Sequence, residues 1–361
     1  MIELTLEAVE RYLRDTFGSG VKLTGVGEIG SLDEQGMKDF GYGKPLLVSW
    51  EENGETRQAV LSMMRGDRYG HQGYWDRARV LLFQHAAGPK MERHVRPLGL
   101  GYVDTSGHMV PVTDPQEFFI INEKIQGRDY FLDLYRIREG DFRPQDEHLA
   151  REFALWLARI HSRKNDDPDL YIRRIRNLVG DCECIFGIAD GYPHPYSEFP
   201  PERFVALEKR LIDWRWKLRG YTDRLAEVHG DFHPWNVLVQ DGEPPSFGVL
   251  DRSRGEWGDP ADDVATMTLN YLLFGLYDTP RLSGAFEKLY RTLWDTYLEE
   301  TGDRQMLEVI APFYVFRALV VASPEWYPDH PIAVRRGLFR LIENVLEDDS
   351  FDWRNINKYM E

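Results

Sequence analysis

The chain has 361 residues, 42% of them hydrophobic, enough for two packed lobes around one cleft and too few for a large multidomain assembly. Its 60 acidic residues against 44 basic ones give a formal charge of -16, which repels nucleic acid and anionic membrane surfaces and excludes both as expected partners. Two cysteines, Cys182 and Cys184, are too few for a disulfide framework or a structural zinc site and read as reduced thiols.

Residues 4 to 17 place apolar side chains at helical spacing and carry acids where an export signal has basic residues. No export signal is expected, and the cytoplasm is the expected address. Two short apolar runs follow, Leu46–Trp50 and Gln58–Met64, and Asn53-Gly54 between them predicts a hairpin. Tyr74 to Ala87 returns to helical periodicity, and further strand-like segments end at Phe118-Phe-Ile-Ile-Asn-Glu-Lys-Ile-Gln-Gly127. That glycine suggests a hinge, dividing the chain into 1–127 and 128–361.

From Glu147 onward helical segments dominate. They are interrupted at 228–251, where Asn236–Val239 and Phe247–Leu250 flank Asp241-Gly242 and predict a second hairpin. The stretch 177–203, rich in glycine and proline, reads as a long loop that either faces a substrate or is a surface excursion. Ala311 to Ala322 reads as a core helix, interrupted by Arg317 and too short to span a membrane.

The chemistry concentrates in His229-Gly-Asp-Phe-His-Pro-Trp-Asn236 and in Asp251. Asp231 and Asn236 lie five positions apart, the Asp-to-Asn spacing of a kinase catalytic loop, in which the Asp receives a hydroxyl proton and the Asn binds a metal. Asp251 follows the second hairpin strand, where a kinase keeps its other magnesium ligand. Magnesium takes oxygen ligands from a few side chains and from the phosphates of its nucleotide, so one Asp, one Asn and ATP complete such a shell.

This loop, with Asp251 and Gly258-Asp-Pro-Ala-Asp-Asp-Val-Ala265, resembles the aminoglycoside phosphotransferase and choline kinase superfamily, whose H-G-D-x-H-x-x-N, Asp and G-D-P-x-x-D signatures occur here in the same order. Leu157-Ala-Arg-Ile-His161 and Glu123-Lys-Ile-Gln-Gly127 resemble the family's helix end and hinge, so the likeness spans roughly residues 20 to 340. The resemblance implies a bilobal, protein-kinase-like α+β fold: a small N-terminal lobe with an antiparallel sheet and a larger, mostly helical C-terminal lobe. It also implies an ATP- and Mg2+-dependent phosphotransferase acting on a small hydroxyl-bearing molecule. Asp231 would be the base, and Asn236 and Asp251 the metal ligands. Glu123 and Ile125 would offer backbone groups to adenine, and Asp263 would bind backbone amides of the catalytic loop, with Asp259 at the same corner. His229 and His233 would be framework residues.

The sequence departs from the family in its first lobe. The strand that should carry a phosphate-binding lysine reads Ala59-Val-Leu-Ser-Met-Met-Arg65, with Ser62 at the lysine position. Arg65 is the nearest cation and the candidate phosphate ligand, with Asp76 as its candidate acidic partner, although Arg and Lys differ in geometry. Gly25-Val-Gly-Glu-Ile-Gly30 reads equally as a phosphate-covering loop or an ordinary turn. After Asp251 stand Arg252 and Arg254, which face either substrate and phosphates or a salt bridge to Glu256 or Asp259. The run Tyr171-Ile-Arg-Arg-Ile-Arg-Asn177 is basic in an acidic protein and argues against a polycationic antibiotic as acceptor.

Two alternatives stand beside this reading. His229, Asp231 and His233 alternate as zinc ligands would, but a zinc hydrolase explains neither Asn236 nor Gly258-Asp-Pro. A nucleotide-binding regulatory module without efficient catalysis would explain the missing lysine, and the intact Asp231, Asn236 and Asp251 count against it.

Overall fold

Thr5 opens the first helix, α1 (Leu6–Phe17), by accepting the Ala8 N–H on its hydroxyl at 3.2 Å. In this computed structural model, which describes residues 4–28, 45–113 and 115–361, the chain forms two compact units, Met1–Asn122 and Glu123–Glu361. In the first, β1 (Lys22–Glu28), β2 (Leu46–Glu52) and β3 (Glu55–Leu61) form an antiparallel sheet in that order. Asn53 and Gly54 take φ of 53° and 81°, the left-handed pair that a two-residue hairpin turn requires. Val9 and Leu13 of α1 bury against Val21, Val48 and Trp50, and Phe17 stacks on Trp50 at 5.3 Å.

The first unit continues with α2 (Tyr74–Ala87), then β4 (Gly101–Val103) and β5 (Met109–Pro111), which pair as a small hairpin. The Asp76 carboxylate caps α2 by accepting from Gly73 N at 2.9 Å. The strand expected to end at Gly127 is absent: residues 115–127 carry no helix or strand, and Phe119, Ile120 and Ile121 are exposed. An apolar run becomes a strand only where a neighbouring strand takes up its backbone bonds, and among the described residues none does so here. Because β3 ends at Leu61, Ser62 and Arg65 lie beyond the strand rather than on it. Gly25 and Gly27 lie within β1, with a register shift at Gly25, while Ile29 and Gly30 fall outside the described residues.

The second unit opens with β6 (Arg128–Asp129) and α3 (Tyr130–Arg138), so helix begins before the expected Glu147. It continues with α4 (Pro144–His161), α5 (Pro168–Gly180), α6 (Ile185–Asp190) and α7 (Pro201–Leu218). Then come β7 (Ala226–Glu227), β8 (Val237–Gln240), β9 (Ser246–Val249) and β10 (Trp257–Gly258). The chain closes with α8 (Ala261–Leu276), α9 (Gly284–Thr301), α10 (Met306–Val309), α11 (Ala311–Ala322) and α12 (Ile332–Asn344). β6, β8 and β9 form one antiparallel sheet and β7 pairs with β10, which brackets residues 228–236 between two short sheets.

Helix α8 is the axis of this unit: every residue from Asp263 to Leu276 is buried, and α3, α9, α11 and α12 pack around it. Among its polar groups, Thr268 meets the Tyr314 hydroxyl at 2.5 Å and Asn270 Nδ2 donates to Thr266 O at 2.8 Å, while Asn270 Oδ1 is buried without a partner. The 177–203 stretch is not one long loop. It contains the end of α5 and all of α6, and its Tyr192 and Phe199 are core residues beside Phe204 and Phe339. Antiparallel sheet and one helix, followed by a helical unit carrying a hairpin, is the element order of the expected protein-kinase-like α+β fold. No described helix is long and apolar enough to cross a membrane.

Candidate active site

The loop between β7 and β8 is held by one carboxylate. Asp263, fully buried in the first turn of α8, accepts the N–H groups of His229 and Gly230, both at 2.8 Å. Its Oδ2 also takes His161 Nε2 at 3.1 Å, and His161 Nδ1 meets the Tyr297 hydroxyl at 2.8 Å. Burial alone would raise the Asp263 carboxyl, but the His161 and amide bonds outweigh it and hold the group below the usual carboxylate range. Gly230 takes φ of 84°, a turn that only glycine makes without strain and that starts the loop toward Asp231. The expected amide-binding role of Asp263 is therefore observed. Asp259 supports the same corner by pairing with Arg224 at 2.9 Å, accepting from the Tyr171 hydroxyl at 2.8 Å and capping Ala261 N at 2.9 Å.

Asn236 Nδ2 donates to the Asp231 carbonyl at 3.1 Å, and its backbone carbonyl accepts from Leu250 N at 2.9 Å. The register Val237↔Val249 sets Asp251 just beyond Leu250, at the same end of the hairpin as Asn236. Asp251 is exposed, makes no hydrogen bond or ion pair with a described residue, and holds the left-handed φ of 53° that Asp tolerates better than most residues. With Nδ2 engaged, the amide oxygen is the end of Asn236 open to a cation. Two hard oxygen donors, one charged and one neutral, fit magnesium carried by a nucleotide. Among the described residues no group of three or more His, Cys, Asp or Glu could hold a metal, so the zinc alternative lacks its ligand set. His229 Nδ1 accepts from Asp231 N at 3.3 Å, which leaves its proton on Nε2, a buried donor with no partner. His229 also lines a cavity of about 170 Å³ with Trp156, Val228, Leu250 and Asp251.

The Asp231 carboxylate has neighbours that sequence reasoning missed. Arg317 of α11, 4% exposed, donates through Nη1 to Asp231 Oδ1, and through Nη2 to Gly230 O and Asp262 Oδ1, each at 2.9 Å. Arg254 Nε and His233 Nε2 both lie 3.6 Å from Asp231 Oδ2. Burial would raise the Asp231 carboxyl, but Arg317, Arg254 and His233 together hold it below the usual range. The available signal was a lone Arg in an otherwise apolar helix, which has to meet a carboxylate once buried. Arg252 bonds Val228 O at 3.0 Å and Glu227 at 3.1 Å, not the side chain of Glu256 or Asp259. Of the basic run on α5, Arg174 donates to Arg254 O at 3.1 Å, while Arg176 is exposed.

Aromatic rings continue from the loop. Trp235 stacks on Phe131 at 5.3 Å and approaches Tyr327 at 6.1 Å and Phe274 at 6.5 Å. Burial, and after it the charge of Asp231, pushes the Tyr327 hydroxyl up to about 12, so it remains a proton donor. Ile125 lies over β9, its Cδ1 2.6 Å from where a Cβ on Gly248 would stand, and Glu123 is exposed. Arg65 belongs to the first unit and is half-buried there.

Asp231 beside two guanidinium groups, Asn236 next to it and Asp251 just past the facing strand are thus brought together. Residues 78–299 match the model of the phosphotransferase enzyme family (APH). The chain belongs to that family.

No curated protein matches the chain. Similar solved structures include a glucosamine kinase in complex with glucosamine, ADP and inorganic phosphate, at 17% identity over 65% of this chain and 58% of that one, with a TM-score of 0.34. The chain therefore spans 58% of the length of that kinase. An ethanolamine kinase from Plasmodium vivax matches at 12% identity over 97% and 85% of the two chains, TM-score 0.35. A choline kinase from Streptococcus pneumoniae matches at 12% identity over 94% and 99%, TM-score 0.33.

Proposed function

We propose that the protein transfers the γ-phosphoryl group of ATP, with Mg2+, to a hydroxyl of a small molecule in the cytoplasm. The observation that carries this reading is the Asp263-tied loop, in which Asp231 and Asn236 adjoin while Asp251 lies just beyond the facing strand. Bound magnesium would offset phosphate charge, and Asn236 and Asp251 are the residues to hold it. Asp231 Oδ2 aligns the acceptor O–H and receives its proton as the acceptor oxygen bonds to phosphorus and the bond to ADP breaks. His233, Trp235 and Tyr327 border the acceptor and exclude water. Arg65 supplies the phosphate cation in place of lysine, and the backbone of Glu123 and Ile125 meets adenine.

The test is magnesium-dependent ATP turnover across a panel of hydroxylated metabolites, with Asp231→Asn as the blank. Turnover that disappears in the variant is expected. Equal, background-level consumption by both proteins across the panel would return the chain to the class of nucleotide-binding modules without chemistry.

A further inference from the structure

We infer that Arg317 is a positioning residue for the transfer: its guanidinium fixes one oxygen of Asp231 and leaves the other to take the acceptor proton, a role that stands only if the chain is a phosphotransferase. Every nitrogen of Arg317 already has an acceptor. Nη1 holds Asp231 Oδ1, Nη2 holds Gly230 O and Asp262 Oδ1, and Nε reaches Asp262 Oδ1 at 3.3 Å. Four of its five N–H groups are thereby spent on acceptors within the protein, one of them the carboxylate of the base, and it acts through Asp231. By contrast, Oδ2 has its nearest nitrogen neighbours, His233 Nε2 and Arg254 Nε, at 3.6 Å, beyond hydrogen-bond length, so its lone pairs are open to an incoming hydroxyl.

The placement is costly for a merely structural tie. Arg317 stands among Phe313, Val315, Phe316 and Leu319, all buried, where well-packed apolar residues in place of a buried ion pair are often as stable. What the guanidinium adds is a planar fork joining α11 to the base, to the residue before it and to α8 through Asp262, a geometry that a lysine ammonium cannot reproduce. Without it the Asp231 carboxylate can turn about χ2 and present either oxygen to the acceptor. Misplacement of this kind is a loss in kcat rather than in binding.

The experiment compares wild type, Arg317→Ala and Arg317→Lys in steady-state kinetics on an acceptor that the wild type phosphorylates, with circular dichroism and melting curves for each. Arg317→Ala is expected to lose about 100-fold in kcat while KM for ATP and acceptor changes little. Guanidinium ion added well below denaturing concentration restores part of that kcat in Arg317→Ala and none in Asp231→Asn. Should the alanine variant fail to fold, Arg317→Lys decides on the same split between kcat and KM. A folded variant with near wild-type kcat, a loss confined to KM, or a kcat loss that guanidinium leaves untouched overturns the role while phosphotransfer stands. No turnover by the wild type overturns the phosphotransferase reading, and this role with it.

Discussion

Asp263 holds the loop that carries Asp231. It is fully buried, and replacing it by asparagine substitutes an N–H2 group for one of the oxygens that now accept from His229 N, Gly230 N and His161. Leaving a buried hydrogen-bond donor without its acceptor costs about 1–3 kcal/mol, so Asp263→Asn should lower the unfolding free energy read from urea titration by that measure, with a lower midpoint, and reduce turnover as the loop loosens. An unchanged midpoint would mean that the loop is held elsewhere. Residues such as Asp231, Asn236, Asp251 and Asp263 were legible in the sequence because their partners are local or lie within one signature. Arg317 was not, because its partner is 86 positions away and helical periodicity reports burial but not what a buried charge meets.

The segment between α11 and α12 brings Tyr327 toward the loop, and it is tied down by polar contacts of its own. Arg335 donates to Ala322 O at 2.5 Å and to Tyr327 O and Pro328 O. His330 stacks on Tyr327 at 4.7 Å, and its Nδ1 meets the Tyr277 hydroxyl at 2.5 Å. Burial, with Arg335 adding and Asp329 opposing, pushes the His330 imidazole from 6.5 down to about 4. Between those values the unfolded chain takes up a proton that the folded one refuses. The stability contributed by neutral His330 is therefore complete above about pH 6.5 and is lost as pH falls through about 4. The melting temperature of wild type should fall toward that of His330→Gln over this window, and a constant gap between the two would refute it.

Elements were legible where their partners are close in sequence, as for α1, α2 and both predicted hairpins. The apolar run at 118–121 misled because strand propensity does not supply a neighbour, and the proline-rich 191–200 stretch hid core aromatics because turn residues describe the backbone rather than what hangs from it.

At the scale of the whole molecule, the two units are joined through residues 115–127, which have neither helix nor strand and expose Phe118 and Phe119. Brief chymotrypsin treatment should cut there first and release a fragment beginning near residue 119 that melts cooperatively, since the second unit has its own core. A first cut within 181–200 would contradict that core.

The two thiols, separated by one residue, differ in reactivity. Cys182 is exposed, whereas burial pushes the Cys184 thiol up to about 12, which removes its thiolate at neutral pH. The chain should therefore accept a single maleimide under native conditions, and intact-mass analysis showing two adducts would contradict the burial of Cys184. Between them Glu183 accepts Arg254 through its carbonyl at 3.0 Å, and Arg254 faces Asp231. A fluorophore on Cys182 thus sits next to the residue whose carbonyl holds Arg254 against Asp231, a built-in optical reporter of changes around that carboxylate that needs no engineered cysteine.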